Sequence, residues 1–236
     1  GLSLSGLAAV AMTYLGEEID PRFIGLSMGL YIAGNAIGGM SGRLISGVLV
    51  DFVDWRIAIG SLGVLALIAG LIFWRILPES RHFQATPLNV KGLLNGYRVH
   101  LQDKGLPWLF LEAFLLMGAF VALFNYIGYR LLSEPYQLSQ AVVGLLSVVY
   151  LSGIYSSAWI GSLADRLGRR KVFRAVIVLT LGGLLLTLLP QLPAILIGLL
   201  LFTFGFFAAH AVASGWVGQM SRGYKALAAA LYLLVY

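Results

Sequence analysis

Cysteine is absent from this chain and charge is scarce: only 11% of its 236 residues are Asp, Glu, Lys or Arg. The first absence excludes a disulfide framework, thiolate metal ligands and a cysteine nucleophile. The second argues against a soluble enzyme, because soluble domains carry about 25% charged and about 45–50% apolar residues. Here the apolar share is 59% and the mean hydropathy is +0.89. Such a chain lacks the polar groups to cover a globule in water. Its three histidines, His82, His100 and His210, are too scattered to suggest a metal site, and neither an H-E-x-x-H nor a G-x-x-x-x-G-K-[ST] string occurs. The expectation is no metal, no cofactor and no ATP-driven chemistry within the chain. A net charge of +6 would suit nucleic acid in a soluble protein. In a membrane protein, basic residues encode orientation instead, so no nucleic-acid partner is expected.

What the chain does have is long apolar runs. About 20 helical residues span a bilayer core of about 30 Å, and all seven prolines (Pro21, Pro78, Pro87, Pro107, Pro135, Pro190 and Pro193) fall between or at the borders of such runs. Proline removes a backbone donor and breaks helix interiors, so these positions mark connections. The pattern predicts an all-α polytopic membrane protein with eight segments, at 1–16, 22–50, 55–76, 106–131, 140–163, 171–189, 194–219 and 225–236. If connections alternate sides, one side carries Arg22, the five basic residues Arg75, Arg81, Lys91, Arg98 and Lys104, the five from Arg166 to Arg174, and Arg222 with Lys225. The other side carries only Arg56 and Arg130, and Arg43 stays inside a segment. Thirteen against two sets the basic side in the cytoplasm by the positive-inside rule. The connection at 77–105 is the only long one, and it reads as a solvated linker or a partner-binding platform. A faint repeat at a spacing of 200 residues aligns Ala8–Ala11 with Ala208–Ala211 and Arg22 with Arg222, as two repeated halves would.

The most specific string runs from Gly161 through Asp165, Arg166, Gly168, Arg169 and Arg170 to Lys171, and it fits G-x-x-x-D-R-x-G-R-[RK] without exception. It closely resembles the signature of the major facilitator superfamily, in the copy between the eighth and ninth transmembrane helices. The resemblance implies the family's two six-helix bundles, with these segments as the fourth to eleventh of twelve helices. The bundles would be 1–76 and 106–236, joined by a cytoplasmic loop at 77–105. Among subfamilies the sequence most resembles bacterial drug- or sugar-efflux-like proton antiporters. In the family the motif helps to close the cytoplasmic side, and that role carries to Gly161, Asp165, Arg166, Gly168, Arg169 and Arg170. Physically, the glycines permit close approach and a tight turn, and an aspartate suits the positive end of another helix.

An acidic cluster, Glu17, Glu18 and Asp20, precedes the 22–50 segment. The expectation is that Asp165 addresses the start of that segment, near Pro21–Gly25, and that the motif arginines meet the acidic cluster across the seam. Within the segment, Gly34, Gly38 and Gly42 recur every four residues with Gly39 beside them, a spacing that Gly25 and Gly29 share. Such ladders let helices pack closely in lipid. Gly34-Asn35-Ala36-Ile37-Gly38-Gly39 also resembles the antiporter motif G-P-x-x-G-G, with Asn35 in place of the proline.

Ionisable groups inside membranes are functional candidates by default. Arg43 reads as an outer-gate residue or a snorkelling one. Glu112 reads as a solvated carboxylate or a proton-exchanging one, and His210 as a packed histidine or a proton or substrate contact. Asn125, Tyr126 and Tyr129 are cavity contacts by resemblance, with Tyr150 and Tyr155 as weaker ones. Together these imply a secondary transporter that moves a small solute by alternating access, as a monomer in the bacterial inner membrane, with proton-driven efflux expected. The alternatives are an uptake symporter and, in another class, a non-transporting receptor or scaffold. An intramembrane enzyme is not expected.

Overall fold

In a computed structural model, residues 2–50, 52–82, 90–138, 142–143, 146–221 and 225–236 are described. Nine α-helices follow among them: α1 (Leu2–Glu18), α2 (Ile24–Val50), α3 (Trp55–Ile76), α4 (Val90–Gln102), α5 (Leu106–Leu132), α6 (Tyr150–Leu167), α7 (Arg169–Leu186), α8 (Leu192–Met220) and α9 (Lys225–Val235). A 3-10 turn, Leu146–Val149, leads into α6. No strand occurs among the described residues. Among the described residues, four stretches are long and apolar enough to cross a membrane: Trp55–Ile76, Leu106–Leu132, Leu146–Leu167 and Leu192–Met220.

The starts of the helices are written in short polar signals. Asp54 accepts a hydrogen bond from Arg56 N (2.9 Å) at the head of α3. Asp103 Oδ1 accepts from Gly105 N (2.7 Å) and Leu106 N (2.9 Å) at the head of α5. Both cover amides that a helix leaves unpaired. Pro107 and Pro193 sit in the first turns of α5 and α8, where a missing N–H costs nothing. Between α6 and α7 a single residue, Gly168, makes the turn at φ +92° and ψ 129°, a conformation that L side chains rarely adopt.

α8 is the central post. Its sequence alternates small and aromatic residues, and most of its length from Ile195 to Val217 is buried. Gly183 of α7 and Gly198 of α8 face one another across bare backbone, and Gly205 faces Thr180. Three apolar clusters stack along the post. One joins Met12, Met28, Phe110, Val217 and Tyr232; one joins Ile160, Val176, Phe206 and Val212; the third holds Ile127, Leu131, Ile195 and Leu199. α2 packs chiefly against α6, then α8, while α1 packs on α9. The N-terminal helices thus lean on the C-terminal ones. α3 has α2 as its main neighbour and buries only Ala58, as a lipid-facing helix would.

Several boundaries differ from those the sequence suggests. α1 runs to Glu18, so Glu17 and Glu18 end a helix instead of lying in a connection. Regular α6 starts at Tyr150 and continues to Leu167, because nothing breaks it before Gly168, and Asp165 therefore sits on its last turn. The 77–105 connection also contains α4, which a polar, basic reading overlooks because its apolar residues fill only one stripe.

Replacing Gly168 by Ala forces a β-carbon onto a positive φ and should cost about 1–3 kcal/mol. A lowered unfolding temperature of the detergent-solubilised protein reads this, and an unchanged temperature would contradict it.

Candidate functional site

The ends that carry the basic connections meet. Asp165, on the last turn of α6, accepts hydrogen bonds from Gly25 N on Oδ1 (3.1 Å) and from Leu26 N on Oδ2 (3.0 Å). These two amides belong to the first turn of α2, whose N–H groups have no partner within the helix. A carboxylate there also meets the positive end of the helix dipole. Arg169 Nη2 reaches back one turn to Asp165 Oδ1 at 2.7 Å, and both side chains are largely buried (14% and 6% exposed). Arg169 Nη1 donates to Gln219 Oε1 of α8, and Gln219 Nε2 donates to Pro21 O at 3.4 Å. One carboxylate and one guanidinium thus tie α6, α7 and α8 to the head of α2.

Close approach makes this possible. A methyl group at Gly25 would strike the Gly161 carbonyl and the Asp165 carboxylate, and one at Gly161 would strike the Gly25 carbonyl. One turn on, a methyl at Gly29 would strike the Ser157 carbonyl. The contact between α2 and α6 is therefore backbone against backbone, as small residues allow in lipid.

The acidic cluster does something else. Among the described residues, none of Glu17, Glu18 and Asp20 pairs with a motif arginine. Asp20 pairs with Arg22, at 2.8 Å, and accepts from Arg22 N. Glu18 accepts from Ser80 Oγ, from Arg81 N and His82 N (2.9 Å each), and lies 3.0 Å from His82 Nδ1. The expected bridge is absent because these nearer donors fill both carboxylates, and Arg169 finds its partner one turn away. Arg166 and Arg170 are exposed. The Glu18 knot fastens the chain just after α3 to the end of α1. Lys225 Nζ adds a bond to Gly16 O (3.4 Å) from the head of α9.

The glycine ladder also divides differently. Gly25 and Gly29 carry the packing, whereas a β-carbon at Gly34, Gly38, Gly39 or Gly42 meets nothing within 4 Å among the described residues, and Asn35 is exposed. The side chain of Arg43 lies outside what the structure describes.

Both carboxylate oxygens of Glu112 are buried with no hydrogen-bond partner among the described residues. Glu112 lines an apolar recess of about 290 Å³ with Leu116, Phe173, Ile177, Thr180 and Phe202. His210 is buried, with Nδ1 2.8 Å from Tyr232 Oη, and it stacks on Tyr236 at 4.2 Å between centroids. Sequence spacing could not have paired His210 with Tyr232, 22 residues away. Tyr126 and Tyr129 are exposed and border an open groove of about 470 Å³ beside Arg130 and Thr187, and Asn125 is exposed on the same helix. Tyr150 stacks with Phe120 and Phe124, and exposed Tyr155 lies against Trp159. Tyr232 and Tyr236 beside His210 lie within electrostatic reach of Glu112, whereas Tyr126 and Tyr129 lie on the exposed groove, with Asn125 exposed on the same helix. Gln219 escaped sequence reasoning altogether. Its only signal was an amide at the end of an otherwise apolar run.

The family signature is thus built into a seam between helices. The sequence model of the Major Facilitator Superfamily matches residues 1–236. The chain belongs to the major facilitator superfamily. It is 58% identical over its whole length to the inner membrane transport protein YnfM of Escherichia coli strain K12, covering 57% of that protein. It is 47% identical to the uncharacterized MFS-type transporter YybF of Bacillus subtilis strain 168, covering 58% of it. A more distant similarity, 24% over 166 residues, is to a probable sugar efflux transporter of Helicobacter acinonychis, with 68% of this chain and 39% of that protein covered. The chain thus spans somewhat more than half the length of the first two relatives. No solved structure matches it.

Two outcomes test the seam. Asp165→Asn removes the charge and turns an N–H donor toward one of the two amides, which should weaken the contact by about 1–2 kcal/mol. With no native cysteine in the chain, spin labels on α2 and α6 near this end can read it, as a broadened or lengthened distance distribution. The Glu18 knot should resist acid. The hydrogen bond from Ser80 and those from His82 and Arg81 hold the Glu18 carboxyl at about 2, below its ordinary 4.5. A depressed carboxyl contributes stability that is full above its unfolded value and lost as pH falls through the folded one. Proteolysis at residues 78–82 should therefore stay slow at pH 5 and above, and Glu18→Gln should accelerate it throughout that range.

Proposed function

We propose that the whole protein is a multi-pass secondary transporter of the bacterial inner membrane. It would move a small neutral or amphipathic solute outward by alternating access as protons move in. The observation that carries this reading is the Asp165 carboxylate seated on the Gly25 and Leu26 amides. A gate between two halves needs a contact that is strong, local and reversible, and this one joins the helix before the long connection to the helices after it. The arrangement is read as the state closed on the basic, cytoplasmic side. The excess of Lys and Arg at that end supports the orientation.

Proton coupling rests on Glu112. An ionisable group in a membrane helix is costly unless it serves a function, and both of its oxygens lack partners among the described residues. The apolar walls of its recess favour a solute with few charges. Efflux as the direction draws on the likeness to antiporters and on the printed name of one distant relative.

The test is a pH jump across proteoliposomes holding the full-length protein and a panel of neutral sugars and amphipathic dyes. Solute should move against the proton. Movement of both in one direction would make the protein a symporter, and no movement of any solute would favour a receptor. Glu112→Gln should abolish pH-driven accumulation while leaving solute exchange at equal pH intact.

A further inference from the structure

The helix within the long connection presents a face that the transport reading does not use. α4 packs through Gly96 and His100, both buried, and its neighbours are α5 and α9. Its apolar stripe is largely turned away from the protein. Val90, Leu94 and Leu101 are 75%, 64% and 58% exposed, with half-buried Tyr97 between them. The spacing i, i+4, i+7, i+11 puts these four on one line along a helix. Lys91 and Arg98 flank that line about a quarter-turn away, and Asn95 and Gln102 lie beyond them. An apolar stripe with basic residues along one side and amides beyond them suits a helix lying in a membrane interface.

The position of α4 agrees. Only three residues separate Gln102 from the first residue of α5. Asp103 fixes that turn by accepting from Gly105 N and Leu106 N. The helix is therefore held at the end of a membrane-crossing helix, where exposed Trp108 lies one turn in, at the depth tryptophans favour. The charge agrees as well. The connection from Arg75 to Lys104 carries five of the sixteen basic residues, and Arg98 and Lys104 are exposed.

We propose that α4 is an interfacial anchor that binds anionic phospholipid: Val90, Leu94 and Leu101 enter the acyl boundary while Lys91, Arg98 and Lys104 contact phosphate headgroups. Such a contact fixes the depth of the connection between the two halves and makes it sensitive to lipid charge. The proposal stands independently of what the protein transports.

Single cysteines at positions 94, 95 and 101 of the full-length protein, labelled with bimane, test it in phosphatidylcholine vesicles with or without about one-third phosphatidylglycerol. In the anionic vesicles, labels on Leu94→Cys and Leu101→Cys should be quenched by lipids spin-labelled high in the acyl chain, and the label on Asn95→Cys by aqueous iodide. Removing phosphatidylglycerol, or adding Lys91→Gln with Arg98→Gln, should reduce the lipid quenching at 94 and 101 to a minority of its value. Equal iodide quenching at all three positions would put the stripe in water. Shielding of 94 and 101 from both quenchers would put another protein on it. Lipid quenching unchanged by either manipulation would remove the headgroup contact. Each of these three results overturns the proposal.

Discussion

The structure depends on one carboxylate answering two backbone amides. A helix begins with N–H groups that its own backbone does not satisfy, and in a membrane protein neither lipid nor a neighbouring apolar helix can satisfy them. Asp165 does so for Gly25 and Leu26. For its short side chain to reach, α2 and α6 must touch at the backbone. That requirement explains Gly25, Gly29 and Gly161 better than any preference of those positions for flexibility. Arg169 then holds the charge of Asp165 from behind and passes the contact to Gln219. Remove the glycines and the carboxylate loses reach. Remove the carboxylate and the glycines bring together two backbones with nothing to bind.

The lopsided distribution of charge follows from the same end of the molecule. Contacts join the connections after α1, α3, α6 and α8 into one region: Asp165 to Gly25, Glu18 to His82, Lys225 to Gly16, and Gln219 to Pro21. At the opposite end Arg130 donates to the carbonyls of Thr187 and Leu189, and Tyr136 donates to Pro190 O. One end is fastened by many polar contacts between both halves of the chain. Among the described residues, the other is fastened within the C-terminal helices.

Much of this was legible in the sequence, and the reasons are physical. Long apolar runs and proline borders mark helices to within a few residues, because a bilayer fixes their length. Asp165 and its target near Pro21–Gly25 were readable because the motif supplies an anion and the segment start supplies amides. Which arginine pairs with which acid was not readable. Arg169 turned to Asp165, one turn away on its own side, and Glu18 took donors from Ser80, Arg81 and His82, more than sixty residues on. Side-chain pairing over such separations is decided by packing. α4 was missed for another reason: its hydrophobicity is confined to a stripe, which composition averages away. The ladder at Gly34–Gly42 shows the limit of spacing arguments, since the same four-residue repeat packs tightly at Gly25 and Gly29 and, among the described residues, meets nothing farther along α2.

Two carboxylates on the same half of the molecule show how environment divides their roles. Asp165 receives three donors and is held by all of them. Glu112, six residues into α5 and so about 9 Å from its start, receives none among the described residues. A fully satisfied carboxylate resists motion, because moving it strands two amides and a guanidinium. An unsatisfied one strands no donor when it moves, and it gains a partner if the helices around it shift. Under the proposed transport cycle, a latch and a proton carrier would need these opposite properties, and a single group cannot supply both. The structure keeps the two carboxylates on different helices, with α5 packed against α8 and α9 between them.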